Sequence, residues 1–322
     1  MYRSTIFAVT LALAGAARWA AAQPVFELNE NWCKPPAGKE TIGDAHGEIR
    51  MDRAGNVYVS LDDDSETGRI QVFAPDGRYL KSIGVPGIHG FVIHDDGGTE
   101  YIYAAHLAGK SVLKLALDGT VAMEIPASRF PTDKLGERGL RVTSVDVGPD
   151  GHIYAVDGYG LDWIYRFDAS GAYVDRFGGQ SEPFGLDNCH KIFVDPRYDP
   201  PRLLLTDRDH GRLVHATLDG ELIGTYAENL RRPSSAAFHG DWVAIAEIKG
   251  RVTLLDKDGK VVTHLGTNET EGLINTNKTQ PKDWQPGLFT SPHGIGFDAE
   301  GNLYVSEWNK FGRVLRFDLV KP

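Results

Sequence analysis

The stretch that decides the fold is residues 46–84, which read HGEIRMDRAGNVYVSLDDDSETGRIQVFAPDGRYLKSIG. Apolar and polar residues alternate at period two, as in Asn56-Val57-Tyr58-Val59-Ser60, and this alternation is typical of a half-buried β-strand. Asp76-Gly77 is a tight-turn signal between two such strands. The stretch therefore predicts a small antiparallel sheet of four short strands.

Five further segments follow the same plan and begin at His89, Val142, His190, Ser234 and His293. Starts spaced roughly 40 to 60 residues apart are typical of propellers and solenoids. The last segment has room for only three strands, so we expect residues 25–28 (VFEL) to supply its fourth strand and close a ring. The sequence predicts an all-β, six-bladed β-propeller, because a β-sandwich would not account for six similar units. The units resemble NHL repeats.

Composition and the N-terminus limit the possible functions. The chain has 322 residues with 34 basic and 44 acidic side chains, a net charge of −10, which excludes the basic surface that nucleic-acid binding needs. Residues 1–22 combine Arg3, an apolar run and Ala20-Ala21-Ala22, the pattern of a secretory signal peptide. We therefore expect one propeller domain over residues 23–322. We also expect it to be secreted or periplasmic, outside the membrane after signal removal, and monomeric.

Histidines recur at one position of the repeat, at His46, His89, His190 and His293. The innermost strand of each propeller blade lines the central channel, so residues at its start gather at one mouth. His89, His190 and His293 belong to alternate blades, about 120° apart, and three neutral imidazoles with an open fourth position are typical of catalytic zinc. A single histidine here is equally well explained as a hydrogen-bonding loop residue. His46 breaks the three-fold pattern, and its part in the site stays open.

Three stretches resemble the peptidyl-hydroxyglycine amidating lyase family. They are residues 156–167, with Val156-Asp157-Gly158-Tyr159 and Ile164-Tyr165-Arg166-Phe167; residues 206–212, TDRDHGR; and the blade-start histidines. The resemblance implies that His89, His190 and His293 bind zinc as a Lewis acid, that Tyr159 is the base and that Arg208 stabilises anionic charge. It implies cleavage of a small or peptide-derived carbinolamide to an amide and a glyoxylate-like compound.

The chain departs from that family at several positions. An acidic run, residues 62–64, stands where the family has an arginine, which changes the preferred substrate charge. Gly294 replaces the acidic residue that helps bind the family's calcium, so calcium is not expected. Gly160 replaces a cysteine of a family disulfide, and whether Cys33 and Cys189 pair stays open.

Two other functions are compatible with the same fold. A metal-dependent hydrolase or lactonase would use carboxylates, and the candidates at strand ends are Glu48, Asp62, Asp157, Asp207, Glu247 and Glu307. Oxygen ligands favour calcium or magnesium, whereas three imidazoles favour zinc. A non-catalytic recognition module would use exposed aromatic residues such as Trp163, Trp242, Trp284 and Trp308. Residues 268–288 would then form a binding loop or lid, or simply a surface loop.

Overall fold

A computed structural model of the chain describes residues 23–63, 69–131, 133, 135–137 and 139–320. Within these ranges the strands form six four-stranded antiparallel sheets. Blade 1 comprises β2 (Ala45–Met51), β3 (Val57–Leu61), β4 (Ile70–Phe73) and β5 (Tyr79–Ile83); blade 2 comprises β6 (Ile88–Asp96), β7 (Thr99–His106), β8 (Ser111–Ala116) and β9 (Val121–Ile125); blade 3 comprises β10 (Ser144–Val147), β11 (Ile153–Val156), β12 (Trp163–Phe167) and β13 (Tyr173–Gly178).

The second half of the ring repeats this arrangement, and two short 3₁₀ turns lie in the connections at Ala127–Arg129 and Pro281–Asp283. Blade 4 comprises β14 (Cys189–Asp195), β15 (Arg202–Asp207), β16 (Arg212–Ala216) and β17 (Leu222–Ala227); blade 5 comprises β18 (Pro233–His239), β19 (Trp242–Glu247), β20 (Arg251–Leu255) and β21 (Val261–Leu265); blade 6 comprises β22 (Pro292–Phe297), β23 (Leu303–Glu307), β24 (Arg313–Val320) and β1 (Val25–Asn29). The predicted six-bladed all-β fold is confirmed.

The ring closes through its N-terminal strand. β1 pairs antiparallel with β24, with Val25 opposite Val320 and Asn29 opposite Arg316. Phe26 and Leu28 pack against the apolar core of blade 6. β1 covers the edge of β24 and becomes the outer strand of blade 6, so it joins the N-terminal segment to the last blade and closes the ring. The predicted closing strand is confirmed.

The core lies between neighbouring blades. The second strand is almost wholly buried in five of the six blades, as Val57–Leu61 and Ile153–Val156 show, so its side chains pack against both adjacent sheets. In blade 2 only the second half of β7 is buried in this way. Hairpin turns fill the outer layer, and one of them requires glycine. Gly77 has φ +80°, and a Cβ there would lie 1.6 Å from the carbonyl oxygen of Trp32.

Three further sequence predictions concern the N-terminus and the cysteines. The predicted signal peptide lies outside the described residues. In the part of the chain that the structure describes, no helix is long and apolar enough to cross a membrane. Cys33 and Cys189 are free thiols, so the open question of their pairing is answered in the negative.

Candidate functional site

The histidines reach the channel through a repeated irregularity of the blades. In five blades the ladder between the first and second strands shifts register at the start of the inner strand, next to Ala45, Ile88, Cys189, Pro233 and Pro292. A β-bulge leaves residues unpaired and re-aims their side chains. The first residue after each of these paired positions is a histidine in four blades and a serine in the fifth. These residues are His46, His89, His190, His293 and Ser234.

The structure brings the three predicted ligands together. The ring centres of His89, His190 and His293 are 4.9, 5.1 and 4.8 Å apart, and all three side chains are buried. Three imidazoles bound through one nitrogen each to a tetrahedral zinc ion, at about 2.0–2.1 Å, would have ring centres about 5 Å apart. The observed spacing therefore fits a single small cation.

Backbone contacts fix the orientation of the same three rings. The Nδ1 atoms of His89, His190 and His293 each lie 2.7 Å from a carbonyl oxygen of the following blade, on Thr143, Ser234 and Gly47 respectively. A carbonyl only accepts, so each Nδ1 carries the proton and each Nε2 keeps its lone pair.

The electrostatics and hydrogen bonding of these rings fit a cation as well. Burial lowers the pKa of all three histidines well below the ordinary value, so the rings are neutral. The buried Nε2 of His293 has no hydrogen-bond partner among the residues that the structure describes. Neutral imidazoles with lone pairs turned inward are the donor set that zinc prefers.

His46 joins this cluster, which answers the question the sequence left open. Its ring centre lies 4.8 Å from that of His89 and 4.9 Å from that of His293. The ligand atoms of His46, His89 and His293 lie within 4.8 Å of one another, a tighter set than the predicted one, and His190 stands outside it. His46 has no backbone anchor, however, and its Nδ1 lies 3.4 Å from Asp62. The anchors mark His89, His190 and His293 as the fixed set and His46 as an adjustable fourth imidazole.

Tyr159, the predicted base, lies between two of the histidines. Its hydroxyl is 3.1 Å from Nε2 of His89 and 3.1 Å from Nε2 of His190, and it donates to one of them at a time. The guanidinium of Arg208 lies 5.6 Å from the centre of the tyrosine ring. Burial raises the pKa of Tyr159, although the positive charge of Arg208 acts in the opposite direction. Arg208 alone therefore does not lower the pKa of Tyr159 below its ordinary value, and without a bound cation the phenol is neutral.

Lys191 forms the floor of the site. It is fully buried, and its Nζ lies 2.8 Å from Glu48 Oε2, 3.2 Å from the carbonyl of Gly47 and 3.3 Å from that of His293. Burial lowers its pKa to about 8 even though Glu48 opposes the shift. Its side chain fits because the equivalent residues of the other blades are small, namely Gly47, Gly90, Ser144, Ser235 and Gly294. The Lys191–Glu48 pair closes the channel below the histidines.

The carboxylates considered as calcium ligands have other roles in the structure. Glu48 also accepts hydrogen bonds from Ser235, Arg50 and the backbone of Ile295. The acids at the ends of the second strands are buried and accept from arginines or backbone amides of their own blades, as with Asp157 and Leu161, Asp207 and Arg212, Glu247 and Arg251, and Glu307 and Arg313. Their bonds tie loops to sheets rather than extending the histidine cluster.

The rim of the site is formed in part by the long insertion. Within residues 268–288, the backbone N–H of Asn275 donates hydrogen bonds to the carbonyls of Ile248 and Thr290. The side-chain oxygen of Asn275 accepts a hydrogen bond from Arg232. The Trp308 ring lies 5.9 Å from that of His46. One of the four tryptophans considered for recognition therefore borders the site, and the insertion is anchored beside it.

No protein-family profile matches the chain. Solved structures share its fold at low identity. A streptogramin B lyase is 15% identical over 92% of this chain and 98% of its own, with a TM-score of 0.59. A catalytically inactive histidine-to-alanine variant of virginiamycin B lyase from Staphylococcus aureus, bound to quinupristin, is 14% identical over 92% and 100%, with a TM-score of 0.59. A gluconolactonase from Xanthomonas campestris is 14% identical over 87% and 89%, with a TM-score of 0.61. These likenesses support the propeller fold, whose other members include lyases and a lactonase.

Proposed function

We propose that this chain is an exported, zinc-dependent lyase that cleaves the carbon–nitrogen bond of a carbinolamide, giving an amide and a glyoxylate-like carbonyl compound. The observation that carries the proposal is the set of three neutral, buried imidazoles with anchored Nδ1 atoms and a tyrosine hydroxyl between two of their Nε2 atoms. The resemblance to the amidating lyase family in residues 156–167 and 206–212 supports the same reaction.

The donor set would hold the cation through Nε2 of His89, His190 and His293. A dication bound there would polarise the substrate hydroxyl and favour the ionised form of nearby acids. His46 lies close enough to act as a fourth ligand or to contact the substrate.

Tyr159 would move the proton in this reaction. With the cation bound, Tyr159 would act as the phenolate, its own proton having gone to solvent. The hydroxyl of the carbinolamide would give its proton to this phenolate, the electron pair of the O–H bond would form the carbonyl, and the carbon–nitrogen bond would break toward nitrogen. The amide nitrogen then needs one proton, which Tyr159 returns, so the reaction is balanced without water. General acid–base transfer requires the phenol within hydrogen-bonding reach of the reacting oxygen. The position of its hydroxyl beside His89 and His190 supports this role.

Metal content tests the site. The purified protein is expected to contain about one zinc ion per chain, and His190→Ala should lose most of it because one fixed ligand is removed. His210→Ala is the matched control, since His210 bonds Asp207 instead of joining the cluster. Absence of metal in the wild type, or equal zinc in both variants, would remove the basis of the proposal.

A direct assay tests the chemistry. Glyoxylate release from an N-acyl-α-hydroxyglycine should be measurable with the zinc-loaded protein and should fall by at least about a hundredfold in Tyr159→Phe, the loss typical of removing a general base. The variant should keep its zinc, because the phenol is not among the fixed ligands. Zinc binding without glyoxylate release would instead favour another metal-assisted reaction, such as lactone hydrolysis.

A further inference from the structure

Two arginines beside Tyr159 lack a counter-ion. Arg208 is buried, with 7% of its surface exposed; its guanidinium bonds the neutral Tyr159 side chain, and its Nε has no hydrogen-bond partner among the described residues. Arg141 also has a buried Nε without a hydrogen-bond partner in the described part of the chain, and its carbonyl accepts from the backbone N–H of Tyr159. Neither arginine belongs to an ion pair among the residues that the structure describes.

An unpaired buried guanidinium is costly, because the ion has lost its hydration without gaining an anion. The burial of Arg208 is severe enough to lower its pKa. Two acids are nearby. Asp209 is bonded by Arg232 and Asn188, and Asp157, whose charge acts on Arg141, accepts from the backbone amides of Arg141 and Leu161 rather than from the guanidinium. The described residues of this acidic protein thus leave two guanidinium groups without a directly bonded carboxylate on the side of the mouth formed by blades 3 and 4.

The opposite side of the channel mouth, on blade 1, carries acidic side chains. On blade 1, Asp62 contacts His46, and Asp44, Asp62 and Asp63 lie close together, with Lys310 as a nearby cation. A substrate anion would be repelled there and attracted toward Arg141 and Arg208.

We propose that Arg141 and Arg208 form a clamp for a carboxylate of the substrate, so that the ligand is an N-acyl amino acid derivative bound with its carboxylate toward blades 3 and 4. The inference rests on the proposed function for the reaction at the histidines, but the clamp itself is a binding property. Guanidinium groups suit this role because they donate two parallel hydrogen bonds to a carboxylate. Arg141 is the new specificity-determining residue.

Binding of unreactive ligands tests the clamp independently of catalysis. Calorimetry should show that hippurate, which carries the carboxylate, binds about tenfold or more tightly than hippuramide, which replaces it with a neutral amide. Arg141→Gln should weaken hippurate binding by about tenfold and leave hippuramide unchanged, and Arg141→Lys should lose less. Arg231→Gln is the matched control, because that guanidinium is already paired with Glu269.

The possible outcomes separate the two proposals. Equal affinity for the two ligands, no hippurate binding at millimolar concentration, or an equal loss of both ligands in Arg141→Gln overturns the clamp. Charge-selective binding that depends on Arg141, without glyoxylate release from a hydroxyglycine substrate, retains the clamp and refutes the lyase. Equal turnover of a hydroxyglycine substrate and of its amide would retain the lyase and refute the clamp.

Discussion

Replacing Lys191 with methionine should destabilise the propeller by about 3 kcal/mol. Lys191 is the floor of the site, and its ammonium is fully buried against Glu48 at 2.8 Å. Removing one partner of a buried ion pair leaves the other charge uncompensated and typically costs about 3–5 kcal/mol. Because Glu48 keeps donors from Arg50 and Ser235, the lower end of that range applies. Methionine preserves the length of the chain, so packing changes little.

A double-mutant cycle isolates the ion pair from other effects. Lys191→Met combined with Glu48→Gln removes both charges, and the double variant should be about 2 kcal/mol more stable than the sum of the single losses predicts. The control is Lys257→Met. Lys257 lies 2.9 Å from Asp241, but both side chains are exposed, so its loss should cost less than about 1 kcal/mol.

Urea unfolding followed by tryptophan fluorescence measures these differences. In thermal unfolding the single variant should melt about 6 °C lower, at about 2 °C per kcal/mol for a chain of this size. The reasoning is refuted if Lys191→Met stays within about 1 kcal/mol of the wild type, or if the double variant shows additive losses. Either result would mean that the buried pair is not coupled as the structure implies.

Three other perturbations test different parts of the molecule. Burial raises the pKa of Asp146 to about 6, so the folded chain binds this proton more tightly than the unfolded chain, and the group should contribute about 1 kcal/mol of added stability from pH 7 to pH 5. Because other buried groups such as Asp157 also titrate in this range, the test is the difference between proteins: Asp146→Asn should gain about 1 kcal/mol less than the wild type, and identical slopes in urea titrations would contradict the shift. In Gly90→Ala the new Cβ would lie 2.5 Å from the carbonyl of Thr143 that anchors a zinc-ligand ring, so both stability, by about 1–3 kcal/mol, and zinc content should fall; an unchanged zinc content would separate the anchor from metal binding. Because Cys33 and Cys189 are free, dithiothreitol should leave the urea midpoint unchanged, whereas a lower midpoint would reveal a disulfide.

The fold could be predicted because its information is local and repeated. Period-two alternation and Asp-Gly turns occur in most segments, and the missing fourth strand at the end of the chain indicated residues 25–28 as the closing strand. The repeat position of the histidines likewise indicated a cluster, since equivalent positions in a ring must meet at the axis.

Side-chain partnerships across the channel were not predictable in the same way. Lys191 and Glu48 are separated by 143 residues, and no local pattern connects them. The small residues at the positions equivalent to Lys191 were a visible signal, because one long side chain among glycines and serines indicates a group that spans the axis. The acids at the ends of the second strands were candidate metal ligands in the sequence, but their partners are local. Their arginine partners, such as Arg251 for Glu247, lie on the neighbouring strand and satisfy them within the blade.

The closed floor has a kinetic consequence for any reaction at the histidine cluster. With Lys191 and Glu48 blocking the axis, both products must leave through the same opening by which the substrate entered. The fragment that contacts the cluster is deeper and must depart second, so release is ordered. For the proposed reaction the glyoxylate-like product would inhibit competitively against substrate, and the amide, which leaves first, would inhibit noncompetitively.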